Sequence, residues 1–156
     1  IMTLQLRTRP SRSTPLAYLP IYTGWLAAFL VVFQVILMVA VGSSRVKGPA
    51  IGIGDDRDLE RKVRRHGNLA ENSCLFLASI GVLEAIACQT TYVLVIAVGF
   101  AIARLLHAAG FSSLAGSHGD GEGGTKNPFI LMRGLGAMGT IAVAFACAGF
   151  LIANLV

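Results

Sequence analysis

An all-α integral membrane protein, built as a bundle of four transmembrane helices, is the fold class that three observations predict. Hydrophobic residues make up 54% of the 156-residue chain and charged residues only 13%, and the mean hydropathy is +0.69, which excludes an ordinary soluble domain. Four apolar stretches can be read, at residues 18–41, 69–88, 92–106 and 129–156, and most approach or exceed the ~20 residues that a helix needs to cross a bilayer. These runs are continuously apolar, without the alternation of lipid-facing and lumen-facing residues that a barrel strand shows. The expected organisation is one domain over residues 1–156, with an arm over 1–15 and spans at about 16–41, 60–88, 92–111 and 129–155.

The first span follows Arg7, Arg9 and Arg12, as the apolar core of a signal peptide would. Its run exceeds the ~7–15 apolar residues of such a peptide, and Ala40-Val41-Gly42 is only a weak cleavage site, so a retained helix is expected. Tyr22 and Trp25 suit interfacial anchoring. The glycine-rich loop that follows, around Pro49, Gly52 and Gly54, carries turn chemistry, and Asp58 is a candidate cap for a helix starting near Leu59.

The second span is entered through a polar, mostly cationic segment, Glu60-Arg61-Lys62-Val63-Arg64-Arg65-His66-Gly67-Asn68-Leu69-Ala70-Glu71. On a helix, Arg64, Asn68 and Glu71 stand at i, i+4 and i+7, so a cation, an amide and a carboxylate share one face. At the edge of the hydrocarbon such groups are costly unless they meet partners, a wet cleft or a polar ligand. The purely structural alternative pairs Glu71 with Arg64, or with Arg104 or Arg133, as ion pairs that fix helix register. Glu84 lies near the far end of this span with no cation nearby in sequence, and the opposite membrane surface is its expected place.

Gln89-Thr90 is so short a link that spans two and three must form an antiparallel hairpin. The third span continues past its apolar core through Arg104 and His107, and a glycine-rich connection around Gly116 to Gly124 leads to the fourth. There Gly134, Gly136, Gly139, Ala144 and Ala148 read as a close-packing face rather than a cofactor groove.

Loop charge sets the orientation. The terminal side carries Arg7, Arg9 and Arg12, whereas the other side gathers Arg45, Lys47, Arg57, Arg61, Lys62, Arg64, Arg65, Lys126 and Arg133. The positive-inside bias therefore places the first and third loops in the cytoplasm and both termini on the opposite side. Topology accounts for the net charge of +5 without a nucleic-acid partner, and membrane lipids are the expected contacts of the basic surface. Cys74, Cys88 and Cys147 sit in apolar runs at spacings that match no metal motif and read as small buried hydrophobes. His66, His107 and His118 fall on separate segments, and no metal site is expected.

The pattern Glu60-Arg61, Arg64, His66-Gly67-Asn68 and Glu71, with Arg45-Val46, Gly54-Asp55 and Ala103-Arg104-Leu105-Leu106-His107-Ala108-Ala109-Gly110, resembles the MAPEG family, membrane-associated proteins in eicosanoid and glutathione metabolism. The likeness runs from about Arg45 to Met138 and is closest to the bacterial branch. It implies a homotrimer of four-helix protomers in a bacterial inner membrane, with glutathione bound as co-substrate between protomers at the cytoplasmic helix ends. Arg64, Asn68 and Glu71 match the family's glutathione-binding arginine, asparagine and glutamate, and His107 matches an Arg-x-x-His-x-x-Gly pattern of the bacterial branch. Two carboxylates of glutathione suit a guanidinium and its ammonium suits Glu71. Its thiol must also ionise near neutrality, and a guanidinium in a low-dielectric cleft favours the anion; Arg133 is the candidate for that catalytic role, with Arg104 as second choice.

Asn72 stands where many family members have tyrosine, His107 and Phe111 replace the third-helix tyrosines of the leukotriene-forming synthases, and Val41 and Gly42 occupy the place of a first-helix arginine. The expected function is therefore a membrane glutathione transferase or peroxidase in detoxification, acting on hydrophobic electrophiles or lipid hydroperoxides, rather than an eicosanoid synthase. The alternative is a non-catalytic subunit with an assembly role in a larger membrane complex.

Overall fold

Each of the four apolar stretches folds as one long helix in the computed structural model, which describes residues 19–46, 48–49, 51–119 and 127–156. Helix α1 is Ile21–Arg45, α2 Arg57–Ala87, α3 Thr91–Gly110 and α5 Pro128–Leu155; the short α4, Leu114–His118, lies between α3 and α5. No strand occurs among the described residues, and all four long helices are long and apolar enough to cross a membrane. Arg7, Arg9, Arg12, Lys47 and Lys126, which entered the charge argument, lie outside the described residues, as does the start of the expected first span at 16–18.

The 31 residues of α2 amount to roughly 46 Å of helix at ~1.5 Å per residue, well beyond a ~30 Å hydrocarbon core. Its polar first turns thus extend past the apolar stretch that begins at Leu69. The helix starts at Arg57, earlier than the expected 60, and its cap is Asp56, whose carboxylate accepts from the backbone N–H of Asp58 and Leu59, both at 2.9 Å. Asp58, expected as the cap, instead holds Lys62 at 2.6 Å and Arg61 one turn on. The correction is a shift of two residues within an acidic cluster, any member of which suits a helix N-terminus.

The bundle is apolar both inside and on its outer surface. Val31, Val32, Val35, Ile36, Met38 and Val39 of α1 are exposed, as lipid-facing side chains must be. The core is built from Leu26, Leu30 and Leu37 of α1, Phe76, Ile80 and Leu83 of α2, Val93, Ile96 and Phe100 of α3, and Cys147 of α5. The Phe76 and Phe100 rings stack with centroids 4.1 Å apart. Of the cysteines read as buried hydrophobes, Cys147 alone is buried; Cys74 is exposed on α2, and Cys88 takes φ +58° in the tight turn to α3.

Helices α3 and α5 approach most closely, where glycine lets backbones touch. A Cβ on Gly136 would sit 2.4 Å from His107 N, and one on Gly110 would sit 2.6 Å from Arg133 N. Gly139 faces Ala103, whereas Gly134 meets nothing within 4 Å, so the expected close-packing face is carried by part of its glycines.

Glu84 occupies an unexpected place. It is only 1% exposed, and its carboxylate accepts from the backbone N–H of Tyr22 at 2.9 Å and of Thr23 at 2.8 Å, and from the Thr23 hydroxyl at 2.7 Å. Helix α1 begins after Pro20 without a side-chain cap of its own. A buried carboxylate from α2 therefore satisfies the N–H groups that the first turn leaves orphaned, at the positive end of the helix dipole.

Candidate functional site

The polar face of α2 meets α3, α4 and α5 in two layers. The inner layer centres on Arg104, 3% exposed, which leaves α3 between α2 and α5. Arg104 donates Nη1 to Asn68 Oδ1 at 2.8 Å, and Nη2 to the Thr140 hydroxyl and, at 3.4 Å, to the Gly136 carbonyl; Thr140 Oγ1 in turn donates to Gly136 O at 2.8 Å. The guanidinium also lies 5.8 Å from the centroid of the Phe100 ring. No carboxylate pairs with it among the described residues, and its Nε is buried without a hydrogen-bond partner. Three helices are thus tied by one cation whose charge is spread over neutral acceptors.

This arrangement fixes Asn68. Because Arg104 can only donate, the amide must turn its oxygen toward α3, which directs Nδ2 the other way as a donor with no partner among the described residues. The Asn68 carbonyl accepts Asn72 Nδ2 at 2.8 Å, so Asn72 is occupied within its own helix.

The outer layer lies in the first turns of α2, at the helix ends. Glu60 Oε1 accepts from Arg64 Nε at 2.8 Å, and its other oxygen is 3.3 Å from His118 Nε2, while His118 Nδ1 lies 2.8 Å from Ser117 Oγ. Arg64 beside it, and His118 after that, hold the Glu60 carboxyl below its ordinary range. A lowered value means that these contacts stand at neutral pH and are lost as pH falls through the folded value. Arg133 donates to Ser117 O at 2.9 Å and lies 5.5 Å from the Phe111 ring centroid, whose other neighbour is the half-buried His107 ring at 5.1 Å. Arg61, expected at the headgroups, instead donates to the carbonyls of Phe111 at 3.1 Å and Ser112 at 2.9 Å, capping the end of α3.

The candidate residues therefore divide. Asn68 and Arg104 are joined directly; Arg133 and His107 flank one aromatic ring; Arg64 and Glu71 remain exposed on the α2 face. The alternative pairing of Arg64 with Glu71 is not formed: the acid on Arg64 is Glu60, one turn earlier, and Glu71 makes no hydrogen bond or ion pair among the described residues. Glu60 entered the sequence reading only as part of the α2 motif and His118 only as one of three scattered histidines, and Thr140 was not singled out. Glu60 stands four residues before Arg64, the spacing of a helical ion pair, and Thr140 is a rare polar residue in an apolar span, so each left a signal.

An exposed guanidinium, an amide donor and an exposed unpaired carboxylate along one helix face can receive a zwitterionic ligand rich in carboxylates. The model of the MAPEG family matches residues 19–153, most of the chain and all of these positions. No curated protein and no solved structure gives a match.

Proposed function

The chain belongs to the MAPEG family, and on that premise we propose that it is a membrane glutathione transferase or peroxidase acting on hydrophobic electrophiles or lipid hydroperoxides. The observation that carries this reading is the α2 face: Glu71 has no partner among the described residues, and Asn68 is oriented by Arg104 to offer its amide nitrogen. Arg64 and Asn68 are assigned to the carboxylates of glutathione and Glu71 to its ammonium, a donor and acceptor set that fits a tripeptide zwitterion. Glutathione supplies a thiolate nucleophile. Arg133, at the same end of the bundle, is assigned to favouring that anion, while Arg104, inside the protomer, positions Asn68 and His107 lines the wall beside Phe111.

The exposed α2 face is proposed to be completed by a neighbouring protomer in a homotrimer, and the basic loops to lie on the cytoplasmic side of a bacterial inner membrane with the termini opposite. Labelling of a cysteine placed at Gly52 from the cytoplasmic face supports that orientation; labelling only from the other face overturns it.

Equilibrium binding of glutathione to the purified protein tests the assignment. Wild-type protein is expected to bind saturably, and Arg64→Ala to weaken binding about tenfold, the loss of roughly 1.4 kcal/mol for a charge-assisted contact. Absence of saturable binding by the wild type leaves the reading as a non-catalytic subunit in a larger complex, toward which Asn72 in place of tyrosine points.

A further inference from the structure

A crease on the other side of α3 holds a cation that the glutathione reading does not use. Arg65 makes no hydrogen bond or ion pair among the described residues, and its Nε is buried without a partner. It closes a cavity of about 210 Å³ whose other walls are Phe33 and Leu37 of α1 and Leu105, Ala108 and Ala109 of α3. One turn along, a second, separate cavity of about 380 Å³ lies between the same two helices, walled by Phe29 and Trp25 on α1 and by Ala101, Ala97 and Leu94 on α3. Phe33 lines the first and Phe29 the second, and their stacked rings, 5.6 Å apart, make the two cavities neighbours along α1. Trp25, Leu94, Val98 and Leu105 are exposed, so the crease opens toward the lipid. From Ala109 to Leu94 it follows roughly 22 Å of helix, at ~1.5 Å per residue, which is longer than half of a ~30 Å hydrocarbon core.

Two apolar cavities in line over that length, with a guanidinium at one end that makes no hydrogen bond or ion pair among the described residues and feels only the more distant charges of Arg61 and Asp58, have the shape and charge of a receptor for a single acyl chain with an anionic head. The neighbouring cations are already used: Arg61 by Asp58 and the carbonyls that end α3, and Lys62 by Asp58 and Ser44. Among the described residues that wall the two cavities only Arg65 is charged, about two turns inside the start of α2, where a compact carboxylate is better accommodated than a two-chain phosphate headgroup. We propose that the crease between α1 and α3 binds a long-chain fatty acid, its carboxylate on Arg65 and its chain running past Phe33 and Phe29 toward Trp25. This site is separate from the α2 face assigned to glutathione, and neither depends on the other.

Trp25 is the chain's single tryptophan, which makes it a built-in reporter. The protein, reconstituted without glutathione in phosphatidylcholine vesicles, is titrated with a long-chain fatty acid brominated at its methyl end, and Trp25 fluorescence is followed. Saturable quenching is expected with the free acid, and only linear partitioning with its methyl ester. Arg65→Gln should raise the half-saturating concentration at least about tenfold, the worth of one charge-assisted contact. Ala101→Leu, which fills the crease and leaves Arg65 in place, should abolish the saturable part, with helix content unchanged by circular dichroism as the check on folding. The proposal is overturned if acid, ester and variants quench alike. It is overturned as well if brominated phosphatidylglycerol quenches saturably while the acid does not, which assigns Arg65 to a lipid phosphate, or if Trp25 cannot be quenched at all, which places a second copy of the chain over the crease.

Discussion

Two buried charged side chains, Arg104 and Glu84, are both held by neutral groups rather than by opposite charges. Arg104 is divided among an amide oxygen, a hydroxyl and a carbonyl, and Glu84 among two backbone N–H groups and a hydroxyl. Inside a membrane this solution gives acceptors to both terminal nitrogens of Arg104, though not to its Nε, and leaves the helix dipole to balance Glu84. Glu84→Ala strands the first N–H groups of α1 and is expected to cost about 2–3 kcal/mol. Glu84→Gln keeps one acceptor and should cost less than half as much. Thermal unfolding in mild detergent, followed by circular dichroism, measures both; equal losses would show that the carboxylate is not acting as a cap. The sequence could show that Glu84 lacked a nearby cation, but its partner is the start of a helix 61 residues away along the chain, which no local pattern encodes.

Among elements, the contact of α3 with α5 governs the site, because it places Arg104 against Gly136 and Thr140 and seats Arg133 beside Gly110. Gly136→Ala would bring a methyl group within 2.4 Å of the His107 backbone nitrogen, against backbone that cannot move aside cheaply. The helices must separate, and a cost of about 3 kcal/mol is expected, in the upper range for overpacking a core position. Glutathione binding should fall with it, since the Arg104 contacts to Asn68 and Thr140 stretch together. Gly134→Ala, where a Cβ meets nothing within 4 Å, is the matched control and should be near neutral in the same melt and binding assays. The glycines were legible in the sequence as a group. Which of them touch a neighbour was not, because that depends on the rotation of α5 against α3, and the same limit hid the join of Arg104 to Thr140.

At the scale of the whole molecule, the four helices were legible because length and apolarity alone decide which segments can cross a bilayer. The polar motif on α2 was legible because helical spacing puts its members on one face, yet Glu60 took Arg64 and Glu71 was left exposed. In the proposed homotrimer a second protomer covers the exposed carboxylate and guanidinium on this helix face, and native mass spectrometry in mild detergent is expected to show a trimer. A monomer that retains glutathione affinity would refute the shared cleft. Whether the protein binds glutathione and ionises its thiol is read from ultraviolet titration of the thiolate. Wild-type protein with glutathione at neutral pH should give a saturable thiolate absorbance, and Arg133→Ala should keep the binding but raise the pKa of the bound thiol by roughly one unit, or about 1.4 kcal/mol. No thiolate signal from wild-type protein saturated with glutathione would contradict the account.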